Sequence, residues 1–110
     1  MATVYVVQAN RKHDVVSAMQ FGELKELLPE DESIVLSTGP VIRRLRAGLR
    51  AFSDADYLLL MGDPVAIGLA TAIAADLNNG RVKLLKWHKR EQRYFEISAD
   101  MYLRPLQETA

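Results

Sequence analysis

Apolar positions along this chain fall into short continuous runs separated by polar turns, and one run organises the rest. Tyr57-Leu58-Leu59-Leu60-Met61 is apolar throughout, the pattern of a parallel strand covered on both faces. Gly62 permits a sharp turn at its end. Asp63 is placed to cap a helix by accepting a backbone N–H, and Pro64 fits the first helical position, where a missing N–H is harmless. Val65 to Leu77 is nearly all apolar and rich in Ala, which predicts a helix buried on every side and ended at Asn79-Gly80. Arg81 opens another strand, so the stretch reads as a β-α-β unit with a right-handed crossover.

The other runs build around it. Thr3 to Gln8 is β-branched and aromatic and predicts an interior strand. Ser17-Ala18-Met19-Gln20 matches a capping box. Phe21, Leu24, Leu27 and Leu28 would share one face of the helix it opens, which ends before Pro29. Gly22 weakens that helix by up to about 1 kcal/mol relative to Ala. Ser33 to Ser37 predicts the second strand, after which Thr38-Gly39-Pro40 repeats the succession of strand, glycine, proline and helix. In the helix that follows, Val41, Ile42, Leu45, Leu49 and Phe52 recur at helical spacing and face the sheet. Val82, Leu84, Leu85 and Trp87 form a further strand, and Arg93 to Ile97 returns antiparallel after a polar turn at His88 to Gln92. Residues 98–110 read as a tail carrying Met101, Tyr102, Leu103 and Leu106. Together these elements predict a single α/β domain over residues 1–110: a small three-layer sandwich with a mostly parallel, Rossmann-like open sheet and a C-terminal antiparallel hairpin.

Composition narrows the chemistry. The chain has no Cys, which excludes a disulfide framework, thiolate metal ligands and a cysteine nucleophile. Its two histidines are far apart and make no metal site by spacing. No secretory leader is expected, because Thr3 to Val7 is too short and lacks a basic lead-in. No apolar run is long enough for a membrane span. A formal net charge of zero removes global attraction to nucleic acid and leaves only local patches. No cofactor is implied.

Several stretches also resemble small proteins encoded by tailed bacteriophages or prophages. They are Val4 to Gln8, Ser37 to Pro40, Tyr57 to Ala70, Asn78 to Trp87 and Arg93 to Phe95, so the resemblance spans most of the chain. It implies a phage or prophage origin and a setting in the host cytoplasm. It implies no reaction.

Two groups of residues could bind something. In an open α/β sheet, ligands enter at the carboxyl ends of the parallel strands. That edge would gather Asn10, Arg11, His13 and Asp14, then Thr38 and Gly39 with Arg43 beyond them, and then Gly62 and Asp63. Thr38-Gly39 is the better anion cradle, because an open helix N-terminus there meets no acid. At Gly62-Asp63 the carboxylate already occupies the helix end. Neither is a dinucleotide fingerprint or a phosphate loop, and a plain turn or cap outweighs a site at each. His13-Asp14 could orient an imidazole, although adjacent loop residues more often face water.

The second group is basic and aromatic. Arg43, Arg46 and Arg50 lie along one helix face. Lys83, Lys86, Lys89, Arg90 and Arg93 crowd the hairpin around Trp87 and Tyr94. Such residues can hold phosphates and stack bases, yet a solvated, charged edge explains them as well. Balancing them, Glu23, Glu26, Glu30, Asp31 and Glu32 make an acidic stretch. The expectation is therefore a small phage accessory or regulatory protein that binds a host or phage macromolecule, with nucleic acid the less favoured partner. Interaction is assigned to Lys86, Trp87, Arg90, Arg93, Tyr94 and Tyr102. Self-association as a homodimer is favoured, steered by the opposed charges and anchored by the aromatic C-terminal part. The alternative is a nucleotide- or small-anion-binding domain that uses the strand-end loops.

Overall fold

A computed structural model describes residues 2–36 and 38–102. The elements in chain order are β1 (Thr3–Gln8), a 3-10 helix (Val16–Gln20), β2 (Glu23–Leu28), α1 (Thr38–Gly48), β3 (Tyr57–Leu59), α2 (Pro64–Leu77), β4 (Arg81–His88) and β5 (Arg93–Asp100). They form one five-stranded sheet in the order β2-β1-β3-β4-β5. The first four strands are parallel and β5 is antiparallel to β4. The expected mostly parallel α/β sheet with a C-terminal hairpin is what forms, with β3 at its centre.

Strand order dictates the layers. The step from β1 to β2 runs one way across the sheet, whereas the steps β2 to β3 and β3 to β4 run the other way. Right-handed crossovers therefore put both α-helices on one face and the 3-10 helix on the opposite face. The core divides accordingly. Tyr5, Val7, Leu58 and Val82 pack under Leu45 of α1 and Ala70 of α2. Val4, Val6, Leu59 and Leu85 pack with Ala18 of the 3-10 helix and Tyr94. Leu84 and Leu85, adjacent in β4, go to opposite faces. The third layer of the sandwich is thus a single short turn of helix.

Four expectations need correction. Ser17 to Leu28 is not one helix: after the 3-10 turn the chain becomes β2, paired in register with β1 from Thr3↔Glu23 to Gln8↔Leu28. Leu24, Leu27 and Leu28 suit a helix face, but an edge strand whose partner offers Val4 and Val6 suits them equally, and the pairing decides. Gln20 does not reach back to a cap; its side-chain amide donates to the Ser17 carbonyl (3.0 Å). The segment from Ser33 is not a strand either. Only Ile34 is buried, while Val35 and Leu36 are 84% and 85% exposed in a turn. Ser37 lies outside the described residues.

The third correction concerns α2, which is not buried all round. Ala66, Ala70, Ile73 and Ala74 face the sheet, but Val65, Gly68 and Ala72 face outward. Ser98 to Asp100, expected in a tail, complete β5. Leu103 and Leu106 lie outside the described residues.

The unit read as Gly62-Asp63-Pro64 forms as expected. Asp63 has extended φ/ψ and its carboxylate accepts from the Val65 N–H (2.7 Å), and Pro64 opens α2. Gly80 ends it with φ +81. Buried Asp56 fastens the entry to β3: it accepts from the backbone of Thr3 (3.0 Å) and from both the backbone (2.9 Å) and hydroxyl (3.1 Å) of Ser53.

Candidate functional site

Connections from β1 and β3 leave the sheet in opposite directions, so a crevice opens between these two strands at their carboxyl ends, where open α/β sheets bind ligands. One half of it is closed by protein. Gln8, at the end of β1, is buried; its amide nitrogen donates to the carbonyls of Pro29 and Glu32 (both 3.1 Å), and its oxygen accepts from the Asp63 N–H (2.9 Å). This one side chain joins the loops after β1, β2 and β3. Gly62 (φ +113) lies against it, so close that a Cβ there would fall 2.4 Å from the Gln8 Cβ.

The other half stays open as a cleft of about 460 Å³, lined by Lys12, His13, Gly62, Trp87, Gln92 and Tyr94 among others. β4 and β5 supply the aromatics. Trp87 and Tyr94 are cross-strand partners whose rings meet edge-on at 4.9 Å, an arrangement favoured by aromatic quadrupoles. The hairpin loop that follows Trp87 closes with Gln92 at φ +55, which brings Lys89 and Arg90 to the same edge of the sheet.

The loop after β1 is built rather than loose. The Lys12 N–H donates to the Asn10 side chain (2.9 Å) and the His13 N–H to the Asn10 carbonyl (2.9 Å). The Arg11 N–H and guanidinium both meet Glu30. Asp14 precedes the 3-10 helix, whose N-cap is Val15, and accepts from the Ser17 hydroxyl and its backbone N–H. Those bonds, the hydroxyl first, hold its carboxyl below the usual range. Asp14 is therefore spent on Ser17 and does not orient His13. Its carbonyl accepts from the Tyr94 hydroxyl, which ties the loop to β5.

Burial, and secondarily the negative charge of Asp14, push Tyr94 up to about 12. Folding thus keeps this phenol protonated at a pH where the unfolded chain would have released it. The unfolded state binds fewer protons above pH ~10, so stability contributed by Tyr94 is present below that value and is lost as pH rises toward 12. Urea unfolding between pH 9 and 12, values set by those two constants, should show a decline in the wild type that is shallower in Tyr94→Phe. Parallel declines in the two proteins would assign the alkaline sensitivity to other groups.

The remaining candidates are spread out. Thr38 is the first residue of α1, and its hydroxyl donates to the Ile34 carbonyl (2.9 Å). Arg43 folds back toward Gly39, 3.7 Å from where a Cβ would sit. Thr38, Gly39 and Arg43 belong to the first turns of α1 and do not line the cleft. Asp63 serves α2 as its cap. Arg46 pairs with Asp76 (3.6 Å) and Arg93 lies over Phe95 (4.2 Å). Lys86 is opposite Phe95, on the face of the hairpin away from Trp87. Tyr102 sits at the far end of the hairpin, its ring against Gly80. The acidic stretch is divided: Glu23 and Glu26 are on β2, Glu30 meets Arg11 and Glu32 meets Arg44. Sequence reasoning missed Gln8 and Gln92. The position of Gln8 as the last polar residue of an apolar strand was the available signal.

A larger hollow, about 620 Å³, lies at the amino ends of β4 and β3, lined by Asp54, Asn78, Arg81, Lys83 and Asp100. Its polar groups satisfy one another. Asp54 accepts from Arg81 (3.1 and 3.2 Å) and from Asn78 (2.9 Å), and these bonds, Arg81 first, lower its pKa. Among the described residues no group of His, Asp and Glu is arranged to hold a metal ion, and no helix is long and apolar enough to cross a membrane.

Compared with known proteins, residues 2–101 match the family model described as "Phage Pam3 gp32-like protein". No curated protein and no solved structure matches the chain.

Proposed function

We propose, for a chain that belongs to this phage family, that it is an accessory protein of the host cytoplasm that works by binding, and that the strand-end cleft takes a nucleotide. The observation carrying this reading is the meeting, at the sheet's one reversal point, of an aromatic pair with cations from separate loops. Trp87 and Tyr94 offer apolar rings for a base. Lys12 and His13 line the cleft beside them with donors for phosphate, and the hairpin loop carries Lys89 and Arg90 at the same edge of the sheet. The nearest acids are already engaged: Asp14 by Ser17, Asp63 by Val65, Glu30 by Arg11, and Glu91 beside Arg93 (4.0 Å). Asp14, which also lines the cleft, keeps its negative charge, so phosphate binding rests on Lys12 and His13 outweighing it.

Two sources share this chemistry, a free nucleotide and a residue of a single-stranded nucleic acid. The cleft holds the only tryptophan of the chain, so its fluorescence reports occupancy. Titrating the protein with a nucleoside triphosphate and with a short single-stranded oligonucleotide should quench Trp87 with at least one of them. For a strand, replacing Lys89 or Arg90 by Ala should weaken binding several-fold and reduce the salt slope by about 0.7 per phosphate contact removed. For a free nucleotide, Lys12→Ala should weaken binding without needing the hairpin cations. No change in Trp87 emission with either ligand at millimolar concentration would sink the reading.

A further inference from the structure

We propose that β5 pairs antiparallel with β5 of a second copy of this chain, joining two sheets across a two-fold axis centred on Ile97. The two edges of the sheet differ. β2 is guarded: Glu23, Lys25 and Glu26 occupy half of its six residues, as expected of an edge kept from pairing. β5 is longer, eight residues, and its middle, Phe95-Glu96-Ile97-Ser98-Ala99, carries one charge and neither proline nor bulge. Ile97 is 42% exposed. Phe95 beside it is half-buried, stacked on His88 at 4.5 Å.

Backbone parity then limits the pairing. The Met101 N–H donates to the Gly80 carbonyl (2.8 Å), and the β4–β5 register runs without interruption from Arg81↔Asp100 to His88↔Arg93. In an antiparallel ladder only alternate residues bond to a given neighbour. Odd-numbered residues of β5 therefore serve β4, and Tyr94, Glu96, Ser98 and Asp100 direct their N–H and C=O groups outward. A two-fold axis perpendicular to the sheet pairs odd with odd and even with even. Two such registers overlap the strands most fully. One sets Glu96 against the partner's Glu96, which like charge disfavours. The other sets Ile97 against its own copy, Phe95 against Ala99, and Glu96 against Ser98. Charge selects the second.

The register makes a symmetric test possible, because the chain has no native Cys. In a non-hydrogen-bonded pair the two Cα atoms lie roughly 4.5 Å apart, within disulfide range. Full-length Ile97→Cys should form a disulfide-linked dimer under mild oxidation, and Glu96→Cys should do so at least several-fold less. Sedimentation of the unmodified chain at ~100 μM, chosen so that a micromolar complex is populated, should give twice the chain mass. Ser98→Pro should restore the monomer mass, because a proline whose N–H would point outward spares the β4 ladder; circular dichroism checks that it is folded. A monomer in the unmodified chain, crosslinking at 96 in preference to 97, or a folded Ser98→Pro dimer each overturns the proposal. The crosslinking arm stands even if Ser98→Pro fails to fold.

Discussion

Gly62→Ala should lower stability by about 2–5 kcal/mol, the sum of placing an L-residue at positive φ (roughly 1–2 kcal/mol) and overpacking a closed contact (roughly 1–3 kcal/mol). Both contributions arise at one atom. The chain turns at φ +113 to pass from β3 into α2, and the space a Cβ needs is already held by the Gln8 Cβ at 2.4 Å and the Gln8 carbonyl at 2.9 Å. Backbone cannot swing aside as a long side chain does. Against the 5–15 kcal/mol of an ordinary domain, a loss of this size is a large fraction. Urea unfolding should show the midpoint falling at unchanged slope. Gly68→Ala is the control: that glycine is on the outer face of α2 with nothing within 4 Å of a new Cβ, so it should gain up to about 1 kcal/mol from helix propensity. A loss below 1 kcal/mol in Gly62→Ala would mean the turn relaxes away from Gln8, contrary to the packing described.

Gln8→Leu is expected to be nearly as damaging, at about 2–4 kcal/mol, and to act on the cleft as well. The volume is kept, so packing is not what fails. Two backbone groups lose their partner, the Glu32 carbonyl and the Asp63 N–H, while the Pro29 carbonyl keeps the Glu32 N–H (3.2 Å). An unmatched buried group costs roughly 1–3 kcal/mol. Hydrogen exchange offers the sharper readout. The Asp63 amide should lose protection in Gln8→Leu beyond the global loss of stability, together with amides of Gly62 and Glu32, while β4 and β5 should follow global stability alone. Uniform loss across the sheet would show that Gln8 contributes only to overall packing and does not organise the strand ends.

How much of this could be read from residues alone depended on whether the signal was local. β1, the Gly62-Asp63-Pro64 turn, α2 with its Asn79-Gly80 stop, and the hairpin of β4 and β5 all rest on neighbouring residues, and all were legible. β2 was not. Leu24, Leu27 and Leu28 fit helix and strand equally, and the choice lies with β1, whose open edge receives them. Val35 and Leu36 look like strand interior because they are apolar, yet no strand position remains for them. The cleft shows the same limit. His13, Gly62, Trp87 and Tyr94 were each visible, but only the order β2-β1-β3-β4-β5 brings their loops together, and that order was hidden once β2 was taken for helix. Gln8 was missed because its partners lie 21, 24 and 55 positions away.

The place of β1 between β2 and β3 also bears on synthesis. Its far side is sealed by β3, and the bond from Thr3 to Asp56 that fixes the two spans 53 positions. The ribosome delivers Val4-Tyr5-Val6-Val7 well before that partner exists. Among the described strand pairs, only the β4–β5 hairpin closes by local contact, and it is made last. Long-range parallel pairing of this kind is slow to form, so the nascent chain carries an apolar strand with one open edge for seconds at ordinary elongation rates. During that interval the unpaired edge of β1 is open to mispairing.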